Sequence, residues 1–312
     1  MSYNILVTGG AGYVGSTLVP DLLADGHKVT VLDNFMYAEA SLNHVCHHPN
    51  FEVVKGDSRV RSIVGPLLAK ADVVIPLAAL VGAPICMQDP VGARTINHDA
   101  IIMLLGLASQ QQMILMPTTN SAYGSGDRNN FCTEESPLHP ISQYAIDKVE
   151  VEQKLMEHPN AISLRLATVF GMSPRMRIDL LVNDFTHRAV KDRAVVLFEG
   201  HFKRNYIHVR DVSRAFRHGL ANHGAMRGQI YNVGLSTANV SKRELCEVIQ
   251  KQIPSFTYIE AELGSDPDQR NYIVSNEKIA ATGYMPQVSL DAGIAELIKG
   301  FSMLRNTRYG NV

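Results

Sequence analysis

Apolar and polar positions alternate along this chain in two textures, and the change from one to the other marks the elements. Asn4-Ile5-Leu6-Val7-Thr8 is a short apolar run that ends in a glycine-rich turn, after which Leu18, Leu22 and Leu23 recur at helical spacing. A second run, Lys28-Val29-Thr30-Val31-Leu32, follows at once and stops at Asp33. The pattern predicts strand, tight turn, helix, strand. Further strands are predicted at 51–54, 72–77, 113–117 and 161–166, with helices over 60–68, about 89–110 and about 142–157 and a loop reaching Pro140. Beyond these come a helix over about 178–190, strands at 195–198, 204–208 and 229–234, and helices from 211, over 241–250, near 277 and over 290–300. Strands separated by helices of this length pair in parallel through right-handed crossovers, so the predicted fold is α/β with a doubly wound sheet. Ligands of such sheets lie beyond the carboxyl ends of the strands, where Gly9, Asp33, Asp57, Ala78 and Thr118 fall.

Composition narrows the classes. With 312 residues, 46% of them hydrophobic and 19% charged, and a net charge of −1, the chain has the make-up of a globular protein with one large domain or two unequal ones. No basic excess points to nucleic acid. The longest apolar runs, 71–83 and 100–108, are too short or too polar to span a bilayer, and Met1-Ser2-Tyr3 leads into a strand without a signal peptide. The expected location is the cytoplasm. Cys46, Cys86, Cys132 and Cys246 lie far apart without a C-x-x-C pair, which suits reduced thiols. His44-x-Cys46-His47-His48 resembles a metal cluster, yet adjacent residues diverge and no distant ligand pair is apparent, so no metal is expected.

Chemistry enters at the first turn. Gly10-x-Gly12-x-x-Gly15 lets the backbone turn sharply, lets a pyrophosphate approach the main chain and lets the helix sit close on the strand, with the anion at the positive helix end. Asp33 closes the second strand eighteen residues past Gly15, where a carboxylate accepts hydrogen bonds from an adenosine ribose and repels a 2′-phosphate. NAD is favoured over NADP. The plain alternative for Asp33 is a solvated turn residue.

A second constellation follows the fifth strand. Thr118-Thr119-Asn120-Ser121-Ala122-Tyr123-Gly124 lies just past it, and Tyr144 and Lys148 share one face of the next helix. Such a pair alone is usually a surface pair. Here it follows a dinucleotide-type half-fold and a hydroxyl-rich strand end, where hydride transfer needs a proton carrier. A nearby ammonium and a positive nicotinamide would pull the tyrosine pKa down from about 10 and make Tyr144 a general base, with Thr119 offering a hydroxyl to the same oxygen.

Several stretches now converge: Thr8-Gly9-Gly10-Ala11-Gly12-Tyr13-Val14-Gly15, Gly56-Asp57, Leu77-Ala78-Ala79, Asn97, Thr119 with Tyr123-Gly124, Tyr144-x-x-x-Lys148, and Phe198-Glu199-Gly200 followed by Arg204-x-Tyr206-Ile207-His208-Val209-x-Asp211-Val212. Over nearly its whole length the chain resembles the extended short-chain dehydrogenase/reductase family, in particular its NAD-dependent nucleotide-sugar epimerases and dehydratases. The resemblance implies a Rossmann-like NAD-binding domain over 1–170, sheet-completing segments from about 204–234, and a smaller, mostly substrate-binding domain over 171–312. It implies a cofactor site of Gly9, Gly12, Tyr13, Val14 and Gly15 at the turn and Asp33 and Asn34 at the ribose. Asp57 and Ser58 belong at the adenine, Leu77, Ala78, Ala79 and Asn97 along the cofactor path, and Lys148 and Tyr144 at the nicotinamide. Tyr144, Thr119 and Lys148 are the implied catalytic residues. On the substrate side stand Val81, Thr119, Asn120, Ser121, Thr168, Arg204 and Arg270. Arg175 and Arg177 join them because a nucleotide diphosphate needs charge-assisted donors, although a solvated helix start also accounts for both. Partners implied are a nucleotide-diphosphate sugar and a second copy of the chain, paired through helices bearing Met103-Leu104-Leu105 and Val149, Val151 and Leu155, although the same residues also fit an intrachain core.

Departures from the family pattern shape the expected reaction. The 4,6-dehydratases carry an Asp-Glu pair after the catalytic threonine, and the sugar-acid decarboxylases a glutamate at the second position. Here Asn120 and Ser121 stand there, and neither serves as acid or base of that elimination. Thr168 replaces an asparagine common in 4-epimerases. Cys86 could approach the sugar, although a buried thiol is the simpler expectation. The expected function is C4 epimerisation of a nucleotide hexose through a transient ketone. The alternatives are a 4-ketoreductase of a deoxysugar or heptose nucleotide and a non-catalytic dinucleotide-binding regulator.

Overall fold

The computed structural model describes residues 2–37, 40–124, 131–261 and 270–304. Seven strands, β1 (Asn4–Thr8), β2 (Lys28–Asp33), β3 (Phe51–Lys55), β4 (Val73–Pro76), β5 (Met113–Thr119), β6 (Ala161–Leu166) and β7 (Gln229–Val233), form one parallel sheet in the order 3-2-1-4-5-6-7. Both of its faces are covered, which is why the strands read as continuous apolar runs. In β1, Ile5 and Val7 join the layer of Leu18 and Leu22 from helix Gly15–Ala24 and Phe216 and Leu220 from helix Val209–Ala221. Leu6 belongs to the opposite layer, with Val64, Leu68 and Leu104. Strand order reverses at β1, which pairs with β2 on one side and β4 on the other, and a crevice opens there at the carboxyl ends.

A second apolar cluster unites Phe170, Phe185, Leu197, Leu245, Phe256 and Phe301 from the C-terminal part. Three small sheets accompany the main one, the first two against this cluster and the third in a cluster with Tyr123 and Tyr272. Thr168–Phe170, Lys203–His208 and Asn239–Ser241 form one, Ala194–Leu197 pairs with Thr257–Glu260, and Phe131–Cys132 pairs with Ile273–Val274. Of the stretch from 204 to 234, Gln229–Val233 enters the main sheet, whereas Lys203–His208 lies in the separate three-stranded one.

The helix expected over 89–110 is broken. It runs as Ala83–Gln88, Pro90–Arg94, a π-helical turn Thr95–Asp99 and Ala100–Leu107. Pro90 cannot continue the preceding helix, and the Asp89 side chain caps the new one by accepting from the Gly92 amide at 2.8 Å. The wide turn carries the fully buried Asn97, whose amide accepts from Leu80 N and donates to Leu80 O, both at 2.9 Å. Helix Gln143–Leu155 starts on Ser142, which caps Ala145 N. Val151 and Leu155 on it are buried within the chain against Ile114 and Met116, so they belong to its own core. Among the described residues no helix is long and apolar enough to cross a membrane.

Candidate active site

The carboxyl ends of β1, β2, β4 and β5 and the start of helix Gln143–Leu155 enclose a cavity of about 320 Å³. Its floor is the glycine turn. Gly9 has φ +70°, and a Cβ there would stand 2.5 Å from Ala78 N, so only glycine lets the loop after β1 pass the end of β4. Gly12, Tyr13, Val14 and Gly15 line the cavity, and Val14 gives the helix no side-chain cap, which leaves its positive end open to an anion. Asp33 Oδ2 accepts from Ala11 N at 2.9 Å and Oδ1 from Phe35 N at 2.8 Å, so the carboxylate is fixed at the cavity wall. Asn34, Ser58, Leu77, Ala78 and Ala79 line the same space. A cradle that tolerates no added carbon, beside an uncapped helix start and a fixed carboxylate, fits a dinucleotide. Asp33→Asn removes the charge and is expected to weaken NAD binding about tenfold and to narrow the preference over NADP, read by calorimetry.

Two expected cofactor residues lie outside the lining. Asp57 is held by Arg59 in a two-pronged ion pair at 2.5 Å, which keeps its carboxyl below the usual range. Asn97 stands behind the cavity, holding the loop after β4 in shape.

At the other end Thr119, Tyr144 and Lys148 face the same cavity. Neither the phenol nor the ammonium makes a hydrogen bond among the described residues. Burial pushes the Tyr144 phenol up to about 12, reinforced by the Cys86 thiol and opposed by Arg177 and Arg270. Burial also lowers Lys148 to about 8, against the opposing pull of Asp147. In the cofactor-free protein burial outweighs the nearby cations, and arginines rather than the lysine oppose it; the lowering expected from the ammonium together with a positive nicotinamide concerns the NAD-loaded site. Thr119 Oγ1 accepts from Ser121 N and donates to Ser121 Oγ, both at 3.0 Å, and Arg270 donates to Ser121 Oγ.

The substrate-side expectations divide. Val81, Ser121, Thr168, Arg177 and Arg270 line the cavity, with Arg177 donating to Val81 O at 3.1 Å and paired with Asp179. Arg175 lines it too, but beside the cofactor end: its guanidinium lies 3.9 Å from the Tyr37 ring centre, four residues past Asp33, and its backbone N donates to Ser16 Oγ. Asn120 is fully buried, with neither side-chain atom paired among the described residues, and Arg204 is buried on its strand; neither belongs to the lining. Cys86 is also buried, its Sγ donating to Leu80 O, and burial raises its thiol. Tyr37 and Tyr272 are lining residues the sequence did not single out. Their nearness to Asp33 and Arg270 in the chain was the only signal.

Comparison with known proteins agrees with this geometry. Residues 5–234 match the model of the NAD dependent epimerase/dehydratase family. A UDP-glucose 4-epimerase of Mycolicibacterium smegmatis is 31% identical over 95% of this chain and 97% of its own. A UDP-glucuronic acid decarboxylase of Danio rerio is 27% identical over 96% of this chain and 72% of its own. Among solved structures, the UDP-glucose 4-epimerase of Thermus thermophilus in complex with NAD superposes with a TM-score of 0.83 at 25% identity, covering 96% of this chain and 99% of that one. With its glycine cradle, fixed carboxylate and Tyr-Lys pair on one cavity, the chain belongs to the NAD-dependent epimerase/dehydratase family, and NAD is its cofactor.

Proposed function

We propose that this protein interconverts nucleotide-diphosphate hexoses at C4 through a transient 4-keto sugar. The observation that carries the reading is the convergence of Thr119, Tyr144 and Lys148 on the dinucleotide cavity, with no carboxylate following Thr119. When bound, NAD⁺ supplies the acceptor and later donor of hydride, and a positive ring beside the phenol. Tyr144 takes the proton of the C4 hydroxyl and returns it to the same oxygen after the 4-keto sugar has turned over in the pocket and C4 has received hydride on its other face, while Thr119 orients that oxygen. Lys148 holds the nicotinamide ribose and places charge near the phenolate. Arg177 and Arg270 supply the forked donors that a diphosphate needs, and the positive charge that offsets the burial of Tyr144. Asn120 and Ser121 offer no group to remove water from, or carbon dioxide beside, the keto sugar. The relative acting as a UDP-glucose 4-epimerase supports the uridine nucleotides as the first to try.

The test is a panel of nucleotide sugars incubated with the purified protein without added NAD(H) and followed by NMR. A C4 isomer formed without net redox is expected. Pentose formation from a uronic acid, or turnover only with reduced cofactor and a keto sugar, overturns the reading.

A further inference from the structure

The Tyr144 helix is anchored in an unusual way. Tyr144, Lys148 and Glu152 follow each other at four-residue intervals, so they share one face, with Glu152 about 12 Å along the axis from Tyr144. Glu152 points into the sheet and is 4% exposed. Its Oε1 accepts from Arg165 Nη2 at 2.6 Å and Nε at 3.0 Å; its Oε2 accepts from Ser163 Oγ at 2.6 Å and Thr118 Oγ1 at 2.8 Å. Four donors saturate the carboxylate. Arg165, itself 3% exposed, uses Nη1 to donate to the Tyr123 hydroxyl at 2.9 Å, and Tyr123 donates to Asn232 Oδ1 at 2.7 Å.

The ends of this network are what matter. Thr118 precedes Thr119, and Tyr123 closes the turn Asn120–Tyr123 that Thr119 opens as its cap. One buried ion pair thus grips the helix of Tyr144 and Lys148 on one side and both flanks of Thr119 on the other. Desolvation makes such a pair a poor net source of stability, whereas its fixed, fully bonded geometry sets a distance well. An apolar contact would let the helix slide by a fraction of an ångström.

We propose that Glu152 and Arg165 are positioning residues that set the spacing between Tyr144 with Lys148 and the hydroxyl of Thr119. The effect on turnover rests on the function proposed above; the effect on the lysine's surroundings does not.

The pair is tested by the double variant Glu152→Gln/Arg165→Met, which leaves no lone buried charge. Ser163→Ala removes one donor and keeps the ion pair, and Val151→Ala thins the apolar packing of the same helix as a purely structural comparison. In the NAD-loaded protein the double variant is expected to lose about 30- to 100-fold in kcat with KM changed less than threefold. Ser163→Ala is expected to lose about three- to tenfold, and Val151→Ala nothing, at a similar fall in Tm. The Lys148 ammonium, followed by lysine-selective NMR and assigned with Lys148→Arg, should shift its titration midpoint by about half a unit or more in the double variant. Unchanged kcat in a folded double variant, or an equal loss in Val151→Ala, overturns the proposal. If the double variant does not fold, Ser163→Ala decides, and full activity there overturns it. If the parent protein turns over no nucleotide sugar, the functional reading has failed, and an unmoved Lys148 midpoint then sinks the positioning role separately.

Discussion

Tyr144→Phe is expected to lower turnover by about 10³-fold while leaving the fold and NAD binding intact. The substitution removes a single oxygen that makes no hydrogen bond among the described residues, so no buried partner is orphaned and Tm should stay within about a degree or two. What disappears is the only cavity-lining phenol on the helix that carries Lys148, and with it the group proposed to move the hydroxyl proton. Isomer formation measured by NMR beside a thermal melt separates the two effects. Should Tyr144→Phe keep most of the parent turnover, the chain would be better read as a dinucleotide-binding regulator.

Lys148→Met should cost activity and gain stability. Burial lowers the ammonium from 10.5 to about 8 in the folded protein, so in the unfolded chain the proton is held more tightly. The folded state therefore carries a penalty wherever the lysine is charged, fully present below about pH 8, and stability rises as pH climbs from about 8 to 10.5. Replacing the ammonium by a thioether of similar length removes that penalty, on the order of 3 kcal/mol at pH 7 in the cofactor-free protein. Denaturant unfolding at pH 7 and pH 10 checks it: the variant should be the more stable at pH 7, and the rise of the parent's stability with pH should vanish. On the proposed function turnover should fall about 10²-fold, since the cation assigned to the ribose and the phenolate is removed. A variant less stable than the parent at pH 7 would show that the ammonium is not held at a cost.

Much of this arrangement was legible in the chain because it is local. The glycine turn, the carboxylate at the end of β2 and the four-residue spacing of Tyr144 and Lys148 each fit within one element or one crossover, where sequence spacing becomes spatial spacing directly. The strands Phe131–Cys132 and Ile273–Val274 were not legible: each is two residues long, and its partner lies across the chain. Nor was the π-turn at Thr95–Asp99, since apolar residues on both sides continue one helical pattern. Glu152 and Arg165 read as ordinary charged positions; their burial depends on meeting each other between helix and sheet. Arg175 and Arg177 are two residues apart yet meet different parts of the cavity wall, one against Tyr37 and one against Val81, contacts across the chain that spacing does not show. Spacing likewise reveals the lysine beside Tyr144 but not the depth at which both are buried.

The account stands most directly on the fate of one hydrogen. A nucleotide hexose carrying deuterium at C4, incubated with the protein in ordinary water without added cofactor, should give the C4 isomer with the deuterium still on C4, since on the proposed function it leaves and returns as hydride, which does not exchange with water. Loss of that deuterium to solvent, or an isomer changed at another carbon, would contradict it.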